Sequence, residues 1–88
     1  MSSNTTDQYQ EILQALYELL GRLPTKDVEL SEQTNLVADM GMDSINMMEL
    51  LQEIEDRFDV IVPLNAMADV STVQDLANEV YRLVEGKS

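Results

Sequence analysis

Apolar residues recur at helical spacing in three stretches of the chain. Ile12, Leu13, Leu16, Leu20 and Leu23 make the first, with Tyr9 and Tyr17 nearby, and the spacing predicts an amphipathic helix. Thr6 or Asp7 is placed to cap it. Gly21 weakens its end, and Pro24 stops it or lies just past its stop. The second stretch predicts a helix from about Ser44 to Phe58, with Asp43 or Ser44 as its N-cap and Arg57 suiting the dipole near its end. At roughly 100° per residue, Leu50, Leu51, Ile54 and Phe58 fall within roughly 60° of Met47, an ordinary core stripe. The third predicted helix begins at Ser71, where Ser71-Thr72-Val73-Gln74 reads as a capping box. Val73, Leu76, Ala77, Val80, Tyr81 and Val84 form its inner face, and Gly86 ends it.

Between these helices the pattern breaks. From Pro24 to Asp43, turn and cap residues (Thr25, Lys26, Asp27, Ser31, Thr34, Asn35) alternate with irregularly spaced Val28, Leu30, Leu36, Val37 and Met40. A structureless connection of that length is unusual in a compact domain, so its apolar residues are expected to pin it to the core. A short helical turn is expected from about Leu36 to Met40, ended by Gly41. Val60-Ile61-Val62 resembles a strand seed, but no second strand candidate exists to pair with it and Pro63 limits it. It reads as a loop that buries one or two side chains, followed by one helical turn over Leu64 to Asp69. The expected fold is all-α: a small antiparallel helical bundle of three long helices plus one or two short ones, with a long first connection. One domain is expected over residues 7–85, between a flexible N-terminus (1–6) and a short tail (86–88).

Composition narrows the chemistry. Eighty-eight residues with 44% hydrophobic content suit one small globular domain. There is no His and no Cys, which removes the commonest general base and the thiol nucleophile, and with them disulfides and thiolate zinc sites. Five basic residues against seventeen acids, a net charge of -12, leave no patch for phosphate backbones. Nucleic acid and anionic membranes are therefore disfavoured, and basic protein surfaces are the natural complement. The first ten residues lack the cationic start and apolar core of a signal peptide, and no apolar run approaches the length needed to span a bilayer. A cytoplasmic monomer without membrane insertion is expected.

The second helix has a second face. Ile45 and Met48 fall roughly 100–160° from the core stripe, among Glu49, Glu55 and Asp56. Single exposed apolar residues are common, and Met48 is also able to pack under the long connection. An apolar pair ringed by acids nevertheless looks like a docking site for a surface with an apolar centre and a basic rim. Ser44 opens this helix. A serine there is most often a cap. It is a poor nucleophile, because no His and no obvious Lys is placed to take its proton. If Ser44 is modified, another protein must do the chemistry.

Several segments together resemble the acyl carrier protein family. They are Leu36-Val37-Ala38-Asp39-Met40-Gly41-Met42-Asp43-Ser44-Ile45, Glu49-Leu50, Ile54-Glu55-Asp56-Arg57-Phe58-Asp59-Val60, Val62-Pro63 and Thr72-Val73-x-Asp75-Leu76. The likeness runs from about Asp7 to Val84. It implies a phosphopantetheine arm on the Ser44 hydroxyl, transferred from coenzyme A by a phosphopantetheinyl transferase, whose thiol carries acyl groups as thioesters. It also implies that Asp43, Glu49, Glu55 and Asp56, with Ile45 and Met48, dock the basic faces of the transferase and of acyl-loading and acyl-processing enzymes. Leu36, Val37, Met40, Leu51, Ile54, Val62 and Met67 would border an interior where an acyl chain shelters, which suits a chain with six Met and little aromatic bulk. The resemblance implies a non-catalytic carrier in fatty acid, lipid or polyketide-type synthesis. Asn46 stands where fatty-acid carriers often have an acid, Arg57 interrupts the acidic run, and Leu64 to Asp69 is far less acidic than usual. These departures point to a specialised member.

Two alternatives stay open on the residues, and a third fails on them. One is a carrier of aminoacyl, peptidyl or alanyl groups. Another is a plain acidic interaction module in which Ser44 only caps. A calcium-binding loop is the third, but no twelve-residue run with alternating oxygen ligands, a central Gly and a final Glu exists.

Overall fold

In the computed structural model, which describes residues 5–23 and 28–86, the three apolar stripes close on one another as three helices. They are α1 (Thr5–Arg22), α2 (Ser44–Phe58) and α3 (Val73–Gly86), with a short 3-10 helix at Leu64–Asp69 between the last two. The all-α bundle with its long first connection is as the sequence predicts. α1 starts slightly before the expected Thr6 or Asp7. The expected roles of Pro24 to Asp27, and of most of the two termini, lie outside the described residues.

One apolar cluster holds the fold. Ile12, Leu13, Leu16 and Leu20 of α1, joined by Leu19, meet Leu50, Leu51 and Ile54 of α2 and Val73, Leu76, Ala77 and Val80 of α3. Tyr81 and Val84 complete the α3 face at the cluster's edge. α1 and α2 run antiparallel: Glu18 meets Arg57 at 3.2 Å, and the later residues Arg22 and Leu23 lie beside the earlier Glu49 and Glu53. Asp59 ends α2 in the left-handed region (φ 56), so the chain turns back at once. Val60 and Val62 then enter the core while Ile61 stays exposed, the alternation of an extended link.

The long connection is pinned down as its apolar residues predict. Leu36, Met40 and Met42 are buried, and Val28 and Leu30 pack against the cluster. The connection is also hydrogen-bonded to the start of α3. Leu36 N–H donates to Ser71 O (2.9 Å), Val73 N–H to Thr34 O (3.0 Å) and Gln74 N–H to Glu32 O (3.0 Å). Carbonyls of the connection thus satisfy two of the free N–H groups that every helix start leaves. Tyr9 of α1 ties down the same segment, donating to Glu32 Oε2 at 2.6 Å while its ring meets Tyr81 edge-on. Burial, then this bond to a carboxylate, pushes the Tyr9 hydroxyl up to about 12.

The cap of α3 differs from the expected Ser71–Gln74 box. Gln74 N–H is taken by Glu32 O, so the box moves one residue on. Asp75 N–H donates to Thr72 Oγ1 (3.2 Å), and Asp75 Oδ2 accepts from Thr72 N–H (3.2 Å) and Ser71 N–H (3.0 Å). Those two backbone donors hold the Asp75 carboxyl below its usual range.

Candidate functional site at the start of the second helix

The approach to Ser44 is a folded turn. Asn35 Oδ1 accepts from Val37 N–H (3.0 Å) and Ala38 N–H (2.7 Å), while Asp39 Oδ2 accepts from Asn35 N–H (2.8 Å). Asp39, Met40 and Gly41 donate back to Asn35 O and Val37 O, giving the expected helical turn before Gly41. Gly41 has φ 72, a conformation that an L residue adopts only at a cost. Met42 then re-enters the core, its N–H on Leu36 O at 3.1 Å. Two buried methionines, Met40 and Met42, therefore fix the chain on either side of Gly41, directly before α2.

Asp43, not Ser44, is the N-cap. Its backbone is extended (φ -107, ψ -175), and its Oδ1 accepts from Asn46 N–H at 2.9 Å. Asn46 Oδ1 reaches back to Asp43 N–H at 3.3 Å, completing a capping box with Asn in the Glu/Gln place. Asn46, a departure from the usual acid, thus has a structural role, and the Asp-x-x-Asn spacing is its signal in the sequence. Ser44 becomes the first residue inside the helix. It is exposed, and no described residue hydrogen-bonds its hydroxyl.

The outer face of α2 matches the helical projection. Ile45 (65% exposed) and Met48 (62%) are the large apolar residues of α2 that face outward. Asp43, Glu49 and Asp56 are exposed with them. Glu55 is half-buried and already employed, because its Oε2 accepts from Val62 N–H at 3.1 Å. It fastens the link after α2 back onto the helix. Of the seven residues expected around the interior, Leu36, Met40, Leu51, Ile54 and Val62 are buried and Met67 packs against the cluster edge. Val37 is a correction: it is 62% exposed, since Leu36 and Met40 take the inward positions of the turn.

At the helix start itself, the Ser44 side chain takes no part in the fold. The Ser44 hydroxyl neither caps nor packs, and it stands beside an apolar pair and several carboxylates. With no His or Cys in the chain, and both lysines outside the described residues, nothing described near it activates the oxygen as a nucleophile. An exposed, unpartnered serine hydroxyl fits a covalently attached phosphopantetheine, whose bond to the protein is a phosphodiester.

Comparison with known proteins points to the same prosthetic group. The family model for the phosphopantetheine attachment site matches residues 10–80. A Caulobacter vibrioides protein described as "Probable acyl carrier protein" is 34% identical over 77 residues, which cover 88% of this chain and 85% of that protein. The non-reducing polyketide synthase ausA of Penicillium brasilianum is 31% identical over 87 residues, 99% of this chain but 3% of that much longer protein. A solved Mycobacterium tuberculosis chain described as "a putative acyl carrier protein" superposes with a TM-score of 0.62 at 26% identity, over 82% of this chain and 92% of that one. The chain belongs to the phosphopantetheine-binding acyl carrier protein family, as a non-catalytic carrier whose prosthetic group is phosphopantetheine.

Proposed function

We propose that Ser44 is the attachment point of the phosphopantetheine arm and that the protein carries acyl intermediates of fatty acid, lipid or polyketide-type synthesis. The observation that supports this best is the capping geometry. Asp43 and Asn46 close the helix start between them, which leaves the Ser44 oxygen exposed and uncommitted. When attached, the arm supplies a terminal thiol, the soft nucleophile that the chain itself lacks. The chain's own task is to hold that attachment oxygen outward on a rigid helix end and to present a surface beside it.

That surface is Asp43, Ile45, Met48, Glu49 and Asp56, an apolar pair within a ring of carboxylates. It suits the basic faces of a phosphopantetheinyl transferase and of acyl-loading and acyl-processing enzymes. Glu55 contributes charge there but mainly holds the link at Val62. Leu36, Met40, Leu51, Ile54, Val62 and Met67 are the side chains that an acyl chain would have to part. Action as a monomer in the cytoplasm belongs to the same proposal. No helix among the described residues is long and apolar enough to cross a membrane.

Incubation with coenzyme A and a broad-specificity phosphopantetheinyl transferase, followed by intact mass measurement, tests the reading. One arm's mass is gained by the wild-type chain and none by Ser44→Ala. A gain that survives Ser44→Ala overturns the assignment.

A further inference from the structure

A groove of about 260 Å³ runs between the end of α1 and the middle of α2, lined by Leu19, Arg22, Leu23, Glu49, Gln52 and Glu53. Antiparallel packing creates it. Glu18 and Arg57 form an ion pair at 3.2 Å, and one turn further along α1 Arg22 reaches the turn of α2 that carries Glu49 and Glu53. Leu19 is buried and Leu23 half-buried, so the floor is apolar. Arg22, Glu49 and Glu53 are exposed on the walls, and none of them forms an ion pair with a described residue. Glu49 belongs to the docking face as well, so groove and face are one continuous surface.

We infer that this groove extends the docking face across to α1, and that it fits a partner surface presenting a carboxylate to Arg22 beside a Lys or Arg to Glu49 and Glu53. The partner is the transferase that loads the arm, so the inference rests on the carrier reading above. Charge complementarity decides its chemistry. A uniformly basic surface would satisfy the two glutamates but set a like charge against Arg22, and like charges juxtaposed across an interface select against that partner. A paired acidic and basic surface satisfies all three groups, and the apolar floor receives the methylene stem of the basic side chain.

The two ideas predict opposite signs for one variant. Arg22→Glu takes the net charge from -12 to -14. General attraction between an acidic carrier and a basic enzyme then lowers the KM for the carrier. The groove as inferred raises KM about tenfold with kcat little changed, as for loss of a contact made equally in ground and transition states. Arg22→Lys keeps the cation and stays within about twofold of wild type. Arg57→Glu makes the same charge change outside the groove and does not raise KM. Thermal melts of each variant confirm folding. A KM for Arg22→Glu that is unchanged or lower overturns the inference while leaving the carrier reading intact. Failure of the wild-type chain to load at all overturns both, and the intact mass tells these outcomes apart.

Discussion

At the start of α2, neighbouring polar side chains do different work. Asp43 accepts the N–H of Asn46 and caps the helix start; the Ser44 hydroxyl, one position on, bonds to no described residue. Substitution separates them. Asp43→Ala removes a satisfied N-cap and costs about 1 kcal/mol of folding stability. Ser44→Ala removes a hydroxyl that the fold does not use and changes stability by less than about 0.5 kcal/mol. Urea unfolding of both unmodified variants checks this. A Ser44→Ala loss as large as that of Asp43→Ala would return the serine to a capping role. The sequence left the cap undecided between these two, because either residue type suits the position and only the reciprocal bond with Asn46 chooses. Glu55 was hidden for a similar reason: its spacing shows an outer-face acid, and its bond to Val62 depends on how the chain reverses after Asp59.

At the level of elements, α3 shows where periodicity stops being informative. Its inner face was legible, because Val73, Leu76, Ala77 and Val80 repeat as a helix requires. Its first turn was not. Backbone carbonyls of Glu32 and Thr34 fill the bonds that a Ser71 box would have made, and backbone partners leave no mark in side-chain pattern. The cap that does form, Thr72 with Asp75, has a pH signature. The Asp75 carboxyl sits below its usual range in the folded chain, so its stabilising share is complete above the unfolded value near 3.9 and is lost as pH falls through the lower folded value. Asp75→Asn removes that share. Urea midpoints of wild type and Asp75→Asn, apart at pH 6, therefore converge as pH is lowered towards 2.5. A gap that stays constant with pH would show that the carboxylate charge plays no part. The α2 boundaries, by contrast, came through from sequence, since Gly41, Asp43 and Asp59 bracket a clean apolar stripe. Val37 was misplaced because a single turn has too few residues to define an inner side.

For the whole molecule, seventeen acids on 88 residues mean that compaction works against charge repulsion throughout. Two ion pairs between described residues, Arg57–Glu18 and Arg82–Glu79, offset part of it. Moderate salt should raise the melting temperature; a gain of about 1 kcal/mol corresponds to roughly 4–8 °C for a domain of this size. A melting temperature indifferent to salt would mean that the acids are already spread widely enough not to matter. The fastening of the long connection to α3 has a consequence of another kind. The amide protons of Val73 and Gln74 are held by acceptors from a distant part of the chain, whereas those of Asp75 and Leu76 are held by the neighbouring Thr72 and later ones within the helix. Whenever the connection lifts, these two lose protection while their neighbours keep it. Their deuterium uptake is thus a local clock for the breathing of the segment that leads into Ser44, readable in the resting protein with no cargo and no partner present.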